Sequence, residues 1–500
     1  MDFIIIGVQE VINIQTLLLI LGSVLMGILF GAIPGLTASL GIALLLPFTF
    51  ALGPVNGLSA LIGVYVGATS GGLISATLIG IPGTGASIVT TFDGYPLAQK
   101  GGANKALSIG VFASLIGGII SMILLTSISP LLAQVALQFG PWEYFALGIF
   151  GLSIVVSVSS DHMLKGLIAG CLGVMITLVG LDPVLSVPRF TFDVSQLMSG
   201  FSLLPTLLGF FAVSLFFNEL NVLNDNQKPI QLSQSYSIFP RLQEIKSNIR
   251  NLIRSSFIGT MIGILPGAGG SIASFLAYDR AKKASKTPEK FGTGHTEGIF
   301  ASESSNNSIT GGSLIPLITL GIPGDMVTAV ILGGLLIHGL QPGPLLFDNN
   351  PDVVGSIFIS LLLATIAMFI IQSSLMRYFA RVIQVPKHIL LPVIIIMSMV
   401  GTYSANNRIF DLWVLVIFGF IGYILLRNKF NLAPLILGYI LGPIIESNWR
   451  RGLMASNGDF TLFFTRPLSL LLLIATVLAI VLPLITSRRE KKKKLASGGS

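Results

Sequence analysis

The chain has 500 residues, of which 52% are hydrophobic and 10% are charged, and its net charge is +8. Soluble domains carry about a quarter charged residues, so this composition excludes an ordinary soluble protein. Residues 11–92 contain no charged side chain at all, whereas one membrane-spanning helix needs only about 20 apolar residues. We therefore expect an all-α polytopic membrane protein.

The basic residues are concentrated in two short stretches. Nine Lys and Arg side chains lie between Arg241 and Lys290, and six more between Arg488 and Lys494. Basic loops and tails beside apolar spans are typical of the cytoplasmic side of membrane proteins. The positive charge therefore indicates topology, and we expect no nucleic-acid partner. Because the first ten residues are acidic and lack Lys and Arg, we expect the N-terminus outside and the C-terminus in the cytoplasm.

Apolar segments suitable for membrane helices follow one another through the first half of the chain. They cover residues 16–33, 36–52, 57–81, 84–92, 106–128, 144–158, 164–181 and 203–217. Pro34-Gly35 separates the first two, and Pro82-Gly83 ends the third. Pro removes a backbone donor and Gly lowers helix propensity, so each pair is expected to break a helix inside the membrane. Residues 93–105 are predicted to be a polar loop, and Asp161-His162 a short connection.

A polar linker at residues 221–254 separates the two halves. Near its end, apolar and basic residues recur on opposite sides at helical spacing, the apolar set being Leu242, Ile245, Ile249, Leu252 and Ile253 and the basic set Arg241, Lys246, Arg250 and Arg254. This pattern predicts an amphipathic helix in the membrane interface. We divide the chain into a first transmembrane repeat at 1–220, this linker, a second repeat at 255–487, and a basic cytoplasmic tail at 488–500. The residues after Lys494 are not expected to belong to the fold.

Two motifs occur twice in the same order. Gly-x-x-Pro-Gly-x-x-x-Ser begins at Gly31 and again at Gly263, 232 positions later; Gly-Ile-Pro-Gly begins at Gly80 and at Gly321, 241 positions later. These matches predict two repeats of inverted topology with broken helices or re-entrant hairpins, and about 10–14 membrane segments. Positive charge on both sides of residues 255–278 favours a re-entrant hairpin there.

The four Pro-Gly pairs predict an anion-binding site. Each break exposes the N–H groups of the next half-helix, and with the helix dipole these bind an anion without Lys or Arg. Paired interrupted segments indicate the binding site of a secondary transporter, although Gly and Pro also permit close packing and kinks. The candidate substrate-binding residues are Pro34, Gly35, Thr37, Ser39, Pro82, Gly83, Thr84, Pro266, Gly267, Ser271, Asn306, Pro323 and Gly324.

The sequence ESSNNS at residues 303–308 is a dense polar cluster in an apolar zone. Glu303 and Asn307 lie four residues apart, on one helical face. Carboxylate, amide and hydroxyl oxygens bind hard cations, so Ser302, Glu303, Asn307 and Asp325 are candidates for binding a coupling Na⁺ or proton. A polar loop in water is the alternative for the cluster, and a helix N-cap is the alternative for Asp325. We expect no covalent cofactor.

The longest motifs resemble a known family. GILPGAGGSIASFLAYDRAKK at residues 263–283, the stretch 293–325 that contains ESSNNS, and GAIPGLTASLGIALLLPFTF at residues 31–50 are similar to the large membrane subunit of the tripartite tricarboxylate transporters, the TctA family. The resemblance implies ion-gradient-driven uptake of small di- or tricarboxylates such as citrate across the bacterial inner membrane. It also implies two partners, a small membrane subunit and a periplasmic substrate-binding protein. Whether the chain forms a homo-oligomer stays open.

Two other classes of function are open to a protein of this composition. One is a passive anion channel or a membrane scaffold subunit. The other is an intramembrane enzyme, which needs paired aspartates, a Ser-His couple or a His-rich metal site. The chain has four His residues and no His-Glu-x-x-His motif, so the spacing of a zinc protease is missing. We therefore expect a carrier that works by alternating access, and not an enzyme.

Overall fold

The structure is a computed structural model that describes residues 2–158, 163–182, 185–219, 239–267, 269–382 and 387–481. These residues are almost entirely helical, which confirms the predicted all-α class. The helices are α1 (Asp2–Val11), α2 (Ile14–Ala32), α3 (Ala38–Thr49), α4 (Pro54–Leu78), α5 (Thr90–Leu97), α6 (Ala103–Ala136), α7 (Pro141–Val158), α8 (Met163–Thr177), α9 (Leu203–Leu208), α10 (Ser214–Glu219), α11 (Leu242–Ile264), α12 (Gly269–Ala284), α13 (Thr296–Leu320), α14 (Met326–Ile337), α15 (Leu346–Asn349), α16 (Pro351–Val382), α17 (Lys387–Asn406), α18 (Ile409–Arg427), α19 (Leu432–Ala455), α20 (Thr461–Thr465) and α21 (Pro467–Val481). Two short strands, β1 (Gly180–Leu181) and β2 (Pro188–Arg189), pair in antiparallel fashion.

Within the described residues, six helical stretches are long and apolar enough to cross a bilayer. They are formed by α2, by α4, by α5 together with α6, by α16, by α17 and by α18. Shorter apolar helices, among them α3, α8 and α14, accompany them. The chain is therefore a multi-pass membrane protein, as the composition predicts.

The chain forms two compact units. The first contains the described parts of residues 1–137 and 203–423, and the second those of residues 138–202 and 424–500. In the second unit, Arg189 on β2 donates to the Glu446 carboxylate, and Arg450 lies 2.5 Å from Asp182. All candidate site residues belong to the first unit. The predicted division into repeats, linker and tail stays a prediction.

Helices α2 and α4 run side by side in the same direction. The Thr16 hydroxyl near the start of α2 donates to Asn56 Oδ1 near the start of α4, at 2.6 Å. Towards the other ends, Gly31 lies directly against the backbone of Ala68, so closely that a side chain on Gly31 would overlap it. The chain then breaks at Pro34-Gly35, and α3 starts with Thr37 as its N-cap.

Beyond α4, the chain turns back before it continues. Gly80 has a left-handed backbone, with φ of +70°, and Gly83 lies against the carbonyl of Gly31 and the Cα of Gly72. The segment after Leu78 therefore returns about two helical turns along α4, to the level of Gly72. The turn Gly85–Ile88 and then α5 start from this level.

The second half of the chain has the corresponding contacts. Gly321 has φ of +71°, and Gly324 lies against the carbonyl of Gly263 and the Cα of Ser313. These partners stand 232 and 241 positions after those of Gly83, the same offsets as between the repeated motifs. These two contacts thus occur at corresponding positions of the two halves. Inverted topology stays a prediction.

Two local expectations are wrong. The predicted amphipathic segment is not a separate interfacial helix, because α11 runs without a break from Leu242 to Ile264. Leu242 is 76% exposed, whereas Leu252 is fully buried among residues of α6 and α13. The predicted polar loop at 93–105 is helical instead, because α5 continues to Leu97, a π-helical segment follows at Ala98–Gly102, and α6 starts at Ala103. Asp161-His162, residues 221–238 of the linker and the tail lie outside the described residues.

Candidate functional site

The predicted polar cluster lies in the middle of a buried helix. In α13 every residue from Gly298 to Thr319 is buried, and in α4 every residue from Gly57 to Leu78 is. Small side chains allow this, since Gly117 of α6 packs on the backbone of Ser304. The alternative of a polar loop in water is therefore excluded for residues 303–308.

The Glu303 carboxylate is enclosed by hydroxyl and amide groups from three helices. The Thr90 hydroxyl on α5 donates to Oε1 and lies 3.1 Å from Ser302 Oγ. On the other side, the Ser114 hydroxyl of α6 donates to Oε2 at 3.3 Å. Asn307 Nδ2 donates to Ser114 Oγ at 2.7 Å and lies 3.4 Å from Oε2. The structure thus brings together three of the four predicted cation ligands.

This cage contains one acidic group and several neutral oxygens. Glu303 is fully buried, and among the described residues no Lys, Arg or His forms an ion pair with it. Asn307 Oδ1 is also buried and has no hydrogen-bond partner there. No cluster of three His, Cys, Asp or Glu residues occurs in the part of the chain that the structure describes. Carboxylate, amide and hydroxyl oxygens are the ligand types that hard cations prefer.

Asp325, the fourth predicted cation ligand, lies elsewhere. Its Oδ1 accepts the backbone N–H of Thr328 at 2.7 Å, so it is the N-cap of α14. Its Oδ2 accepts the Tyr65 hydroxyl of α4 at 2.5 Å. Because Gly324 lies at the level of Ser313, ten residues beyond Glu303, the two acids are separated by about 15 Å of helix. The geometry is that of the predicted cap.

Two tips from different halves meet beside α13. The first tip, residues 82–87, precedes α5, and the second tip, residues 269–271, opens α12. The Ser271 hydroxyl donates to the carbonyl of Gly85 at 2.8 Å, and Gly270 faces both Ala86 and Asn306 Oδ1. Asn306 is fully buried and donates its Nδ2 to the Thr69 carbonyl at 3.1 Å.

Two polar atoms next to this meeting point have no partner. Asn306 Oδ1 and Thr84 Oγ1 are buried and make no hydrogen bond within the described residues. Buried polar atoms are almost always paired, so unpaired ones beside two helix N-termini indicate a place for a ligand. The structure therefore brings Thr84, Ser271 and Asn306 of the predicted substrate set together.

The remaining candidates border this site within their own halves. Gly267 N donates to the Gly324 carbonyl at 2.7 Å, which joins the breaks at Pro266 and Pro323. In the first half, Gly83 touches the carbonyl of Gly31, just before the break at Pro34. Gly35 and Thr37 are exposed, and Ser39 is buried. Thr37 Oγ1 accepts the N–H of Leu40 at 3.2 Å, so its role here is to cap α3.

Three residues in these contacts were not predicted. Thr90 and Ser114 line the Glu303 cage, and Tyr65 binds Asp325. Ser114 and Tyr65 lie in uninterrupted apolar segments, where nothing in the local sequence sets them apart. Thr90 follows Pro82-Gly83 closely, so its distance from a helix break was the one available signal.

Comparison with known proteins agrees with this architecture. The Tripartite tricarboxylate transporter TctA family matches residues 17–437. An Agrobacterium vitis protein described as "Uncharacterized 52.8 kDa protein in TAR-I ttuC' 3'region" is 35% identical over 472 residues, which cover 94% of each chain. A second one, "Uncharacterized protein in TAR-II ttuC' 3'region", is 37% identical over 237 residues, 47% of this chain and 98% of the relative. No solved structure matches the chain. The chain therefore belongs to the TctA family, the large membrane subunit of tripartite tricarboxylate transporters.

Proposed function

We propose that this subunit imports small di- or tricarboxylates across the bacterial inner membrane by alternating access, driven by a Na⁺ or proton gradient. The observation that carries the proposal is the meeting of the two tips over Asn306. The helical segments that begin at these tips, one from each half of the chain, have their N-termini there, in the interior of a membrane protein. Such half-helix starts bind anionic groups of transported substrates through backbone N–H groups and the helix dipole.

The substrate is bound by neutral groups. The Thr84 hydroxyl is free to donate to a carboxylate oxygen, and the start of α12 supplies N–H groups beside Ser271. Lys and Arg take no part in these contacts. Dehydrating a multiply charged anion is costly, so such a site has modest affinity. A periplasmic binding protein that delivers the carboxylate compensates for this, and we expect uptake to be weak without it.

The cation binds at Glu303. Its carboxylate is buried without a basic partner in the described residues, and an unneutralised charge in a membrane protein interior is costly. Na⁺ or a proton neutralises it. Asn306 follows Glu303 by three residues on the same helix, so the anion and the cation lie within one turn of each other. At this separation each ion stabilises the other, which couples their transport.

The test is uptake of radiolabelled citrate and smaller dicarboxylates into proteoliposomes that contain both membrane subunits and receive the purified binding protein. Inward Na⁺ and pH gradients are imposed separately. The proposal predicts saturable uptake that one of these gradients drives and that falls to background without the binding protein. A passive channel gives flux that neither gradient accelerates, and a scaffold gives no flux. Either result overturns the proposal.

We further propose that the subunit works beside the small membrane subunit, with its basic C-terminal tail in the cytoplasm. The basic residues at 241–254, in the first part of α11, and at 280–290, at the end of α12 and in the following loop, support this orientation. Protease treatment of sealed spheroplasts is the test. A C-terminal epitope that is cleaved in intact spheroplasts contradicts the orientation.

A further inference from the structure

Asp93, on α5, has a buried carboxylate that is bound by four donors. Its Oδ1 accepts the backbone N–H groups of Gly292 at 2.9 Å, Gly294 at 2.8 Å and His295 at 2.7 Å. Its Oδ2 accepts the Tyr278 hydroxyl at 2.7 Å. Asp93 itself is 1% exposed. We call Asp93, Tyr278 and residues 292–295 the clasp. It joins α5 of the first half to α12 and the following loop of the second half.

The clasp connects the two helices that carry the tips. The first tip leads directly into α5, and Tyr278 lies in α12 seven residues after Ser271, about two helical turns. One turn before Asp93, Thr90 donates to the Glu303 carboxylate. The clasp therefore holds one end of the same two helices whose other ends border the substrate site. It also fixes the helix that supplies Thr90 to the cation site.

The helices at the matching positions, α14 and α3, have no such polar contact within the described residues. The repeat offsets of 241 and 232 match Asp93 with Gly334 on α14, and Tyr278 with Leu46 on α3. Gly334 faces the methyl groups of Leu46 and Leu61. At the corresponding position α14 and α3 thus meet through apolar groups. The two ends of the site are closed by different chemistry, polar at one and apolar at the other.

The charges of the neighbouring loops differ in the same way. Lys100 Nζ donates to the carbonyl of Thr293, which belongs to the clasp, at 2.6 Å. Lys286 lies in the same loop as Thr293. Residues 50–53 and 338–350, which follow the apolar contact, contain no Lys or Arg. Since basic loops stay in the cytoplasm, the clasp belongs to the cytoplasmic end.

We propose, on the basis of the proposed function, that Asp93 is a positioning residue that closes the cytoplasmic end of the substrate path. Its hydrogen bonds to the loop at 292–295 must break when the substrate leaves towards the cytoplasm. Opening the clasp exchanges four directed hydrogen bonds to one carboxylate for water. An apolar contact slides without leaving a polar group unpaired. The protein is therefore biased towards the state that is closed to the cytoplasm, ready for delivery from outside.

The test is the labelling rate of a cysteine in the first tip. Ala86→Cys is introduced into the full chain together with Cys171→Ser, which removes the single cysteine of the sequence. A membrane-impermeant maleimide is then applied to inside-out and right-side-out vesicles. Adding Asp93→Ala is expected to raise the rate in inside-out vesicles about tenfold, because the population shifts towards the inward-open state. The rate in right-side-out vesicles is expected to fall. An unchanged rate in inside-out vesicles overturns the proposal.

Two further variants separate the clasp from a general loss of structure. Tyr278→Phe removes one donor and keeps the ring, which packs on Phe92 and Phe291, so it is expected to give a smaller increase of the same sign. If Asp93→Ala does not fold, the labelling rate of Tyr278→Phe tests the proposal in its place. Leu46→Ala, at the matching apolar position, is the control and is expected to leave the inside-out rate unchanged. An equal increase with Leu46→Ala means that any loosening opens the tips, and the clasp assignment fails.

Transport kinetics give a second readout. Asp93→Ala is expected to raise the KM for the carboxylate severalfold, because fewer molecules are open to the outside. A merely structural defect lowers the maximal rate and leaves the KM unchanged. Labelling does not require transport, so the two proposals can fail separately. If Asp93→Ala changes the labelling rate but the unmodified protein shows no gradient-driven uptake, the proposed function fails while the role of the clasp stands.

Discussion

The Tyr65 hydroxyl donates a hydrogen bond of 2.5 Å to Oδ2 of Asp325. At the repeat offset of 241, Tyr65 matches Asn306, and Thr84 matches Asp325. Tyr65 and Asp325 therefore satisfy each other within the protein. At the equivalent positions, Asn306 Oδ1 and Thr84 Oγ1 are buried and have no hydrogen-bond partner in the described residues. Equivalent positions thus serve structure on one side of the site and remain available to a ligand on the other.

Asp325→Asn is expected to leave the ion dependence of uptake unchanged, because Asn also caps helices well. Asp325→Ala removes the cap and the acceptor of the Tyr65 hydroxyl, and is expected to cost about 1–3 kcal/mol of stability. Thermal unfolding in detergent and uptake across a series of Na⁺ concentrations measure the two effects. Loss of ion coupling in Asp325→Asn, with normal unfolding, contradicts the assignment as a cap.

Glu303→Gln is expected to abolish gradient-driven uptake while insertion and folding are retained. The amide keeps the size of the side chain and removes the charge that binds the cation. Glu297→Gln is the matched control, since Glu297 lies on the same helix but its side chain is 33% exposed. Uptake is measured across Na⁺ concentrations at fixed pH and across pH at fixed Na⁺. Unchanged dependence on both ions in Glu303→Gln means that the cluster does not couple transport.

Asn307→Ala is expected to raise the cation concentration for half-maximal uptake about tenfold, with a smaller effect at saturating cation. It removes the buried Oδ1, which has no partner in the described residues and is available to a cation. A lost ligand of this kind is worth roughly 1–2 kcal/mol, the scale of one hydrogen bond to a charge. The decisive comparison is between the cation and the carboxylate titrations. A change confined to the carboxylate KM assigns Asn307 to the substrate.

Gly270→Ala is expected to reduce uptake strongly. A Cβ there would lie 2.6 Å from the Cβ of Ala86, which forces the two tips apart. Gly22→Ala is the control, because a Cβ at Gly22 meets no atom within 4 Å. Combining Gly270→Ala with Ala86→Gly removes the clash and is expected to restore uptake. If the single variant transports normally, close contact of the tips is not needed for transport.

Cysteines at Leu242 and Lys286 are expected to label from the same, cytoplasmic side. Both positions are exposed. Leu242 is the first residue of α11, and Lys286 follows the end of α12, so they lie at the two ends of the predicted hairpin with its break at Pro266-Gly267. The experiment uses the Cys171→Ser background and impermeant maleimides on sealed vesicles of both orientations. Labelling from opposite sides shows that residues 255–278 cross the membrane, and contradicts the re-entrant hairpin.

The sequence was informative where structure depends on local chemistry. Pro34-Gly35 directly follows the end of α2, and α4 ends at Leu78, four residues before Pro82, because Gly80 adopts a left-handed backbone. Glu303 and Asn307 share a face because they are four residues apart. The cage around Glu303 depends instead on which helices pack against α13. Thr90 and Ser114 reach it from α5 and α6, and no local pattern encodes that pairing.

The error at α11 has a related cause. The spacing of Leu242, Ile249 and Leu252 correctly indicated a helix with an apolar side. It could not tell whether lipid, water or protein covers that side. In the structure Leu252 is buried against other helices while Leu242 and Ile249 are exposed, because α11 continues into the body of the protein.

The burial of α13 also bears on how the protein is made. Although it has 25 residues, α13 is not among the described helices that are apolar enough to cross a bilayer. Its Ser, Asn and Glu side chains make entry into lipid on its own unfavourable. During synthesis the insertion machinery must therefore retain α13 until α6 and α11, which emerge from the ribosome earlier, are positioned to shield it. A chain with a damaged α6 should then stall in biogenesis and be degraded before it reaches a folded state.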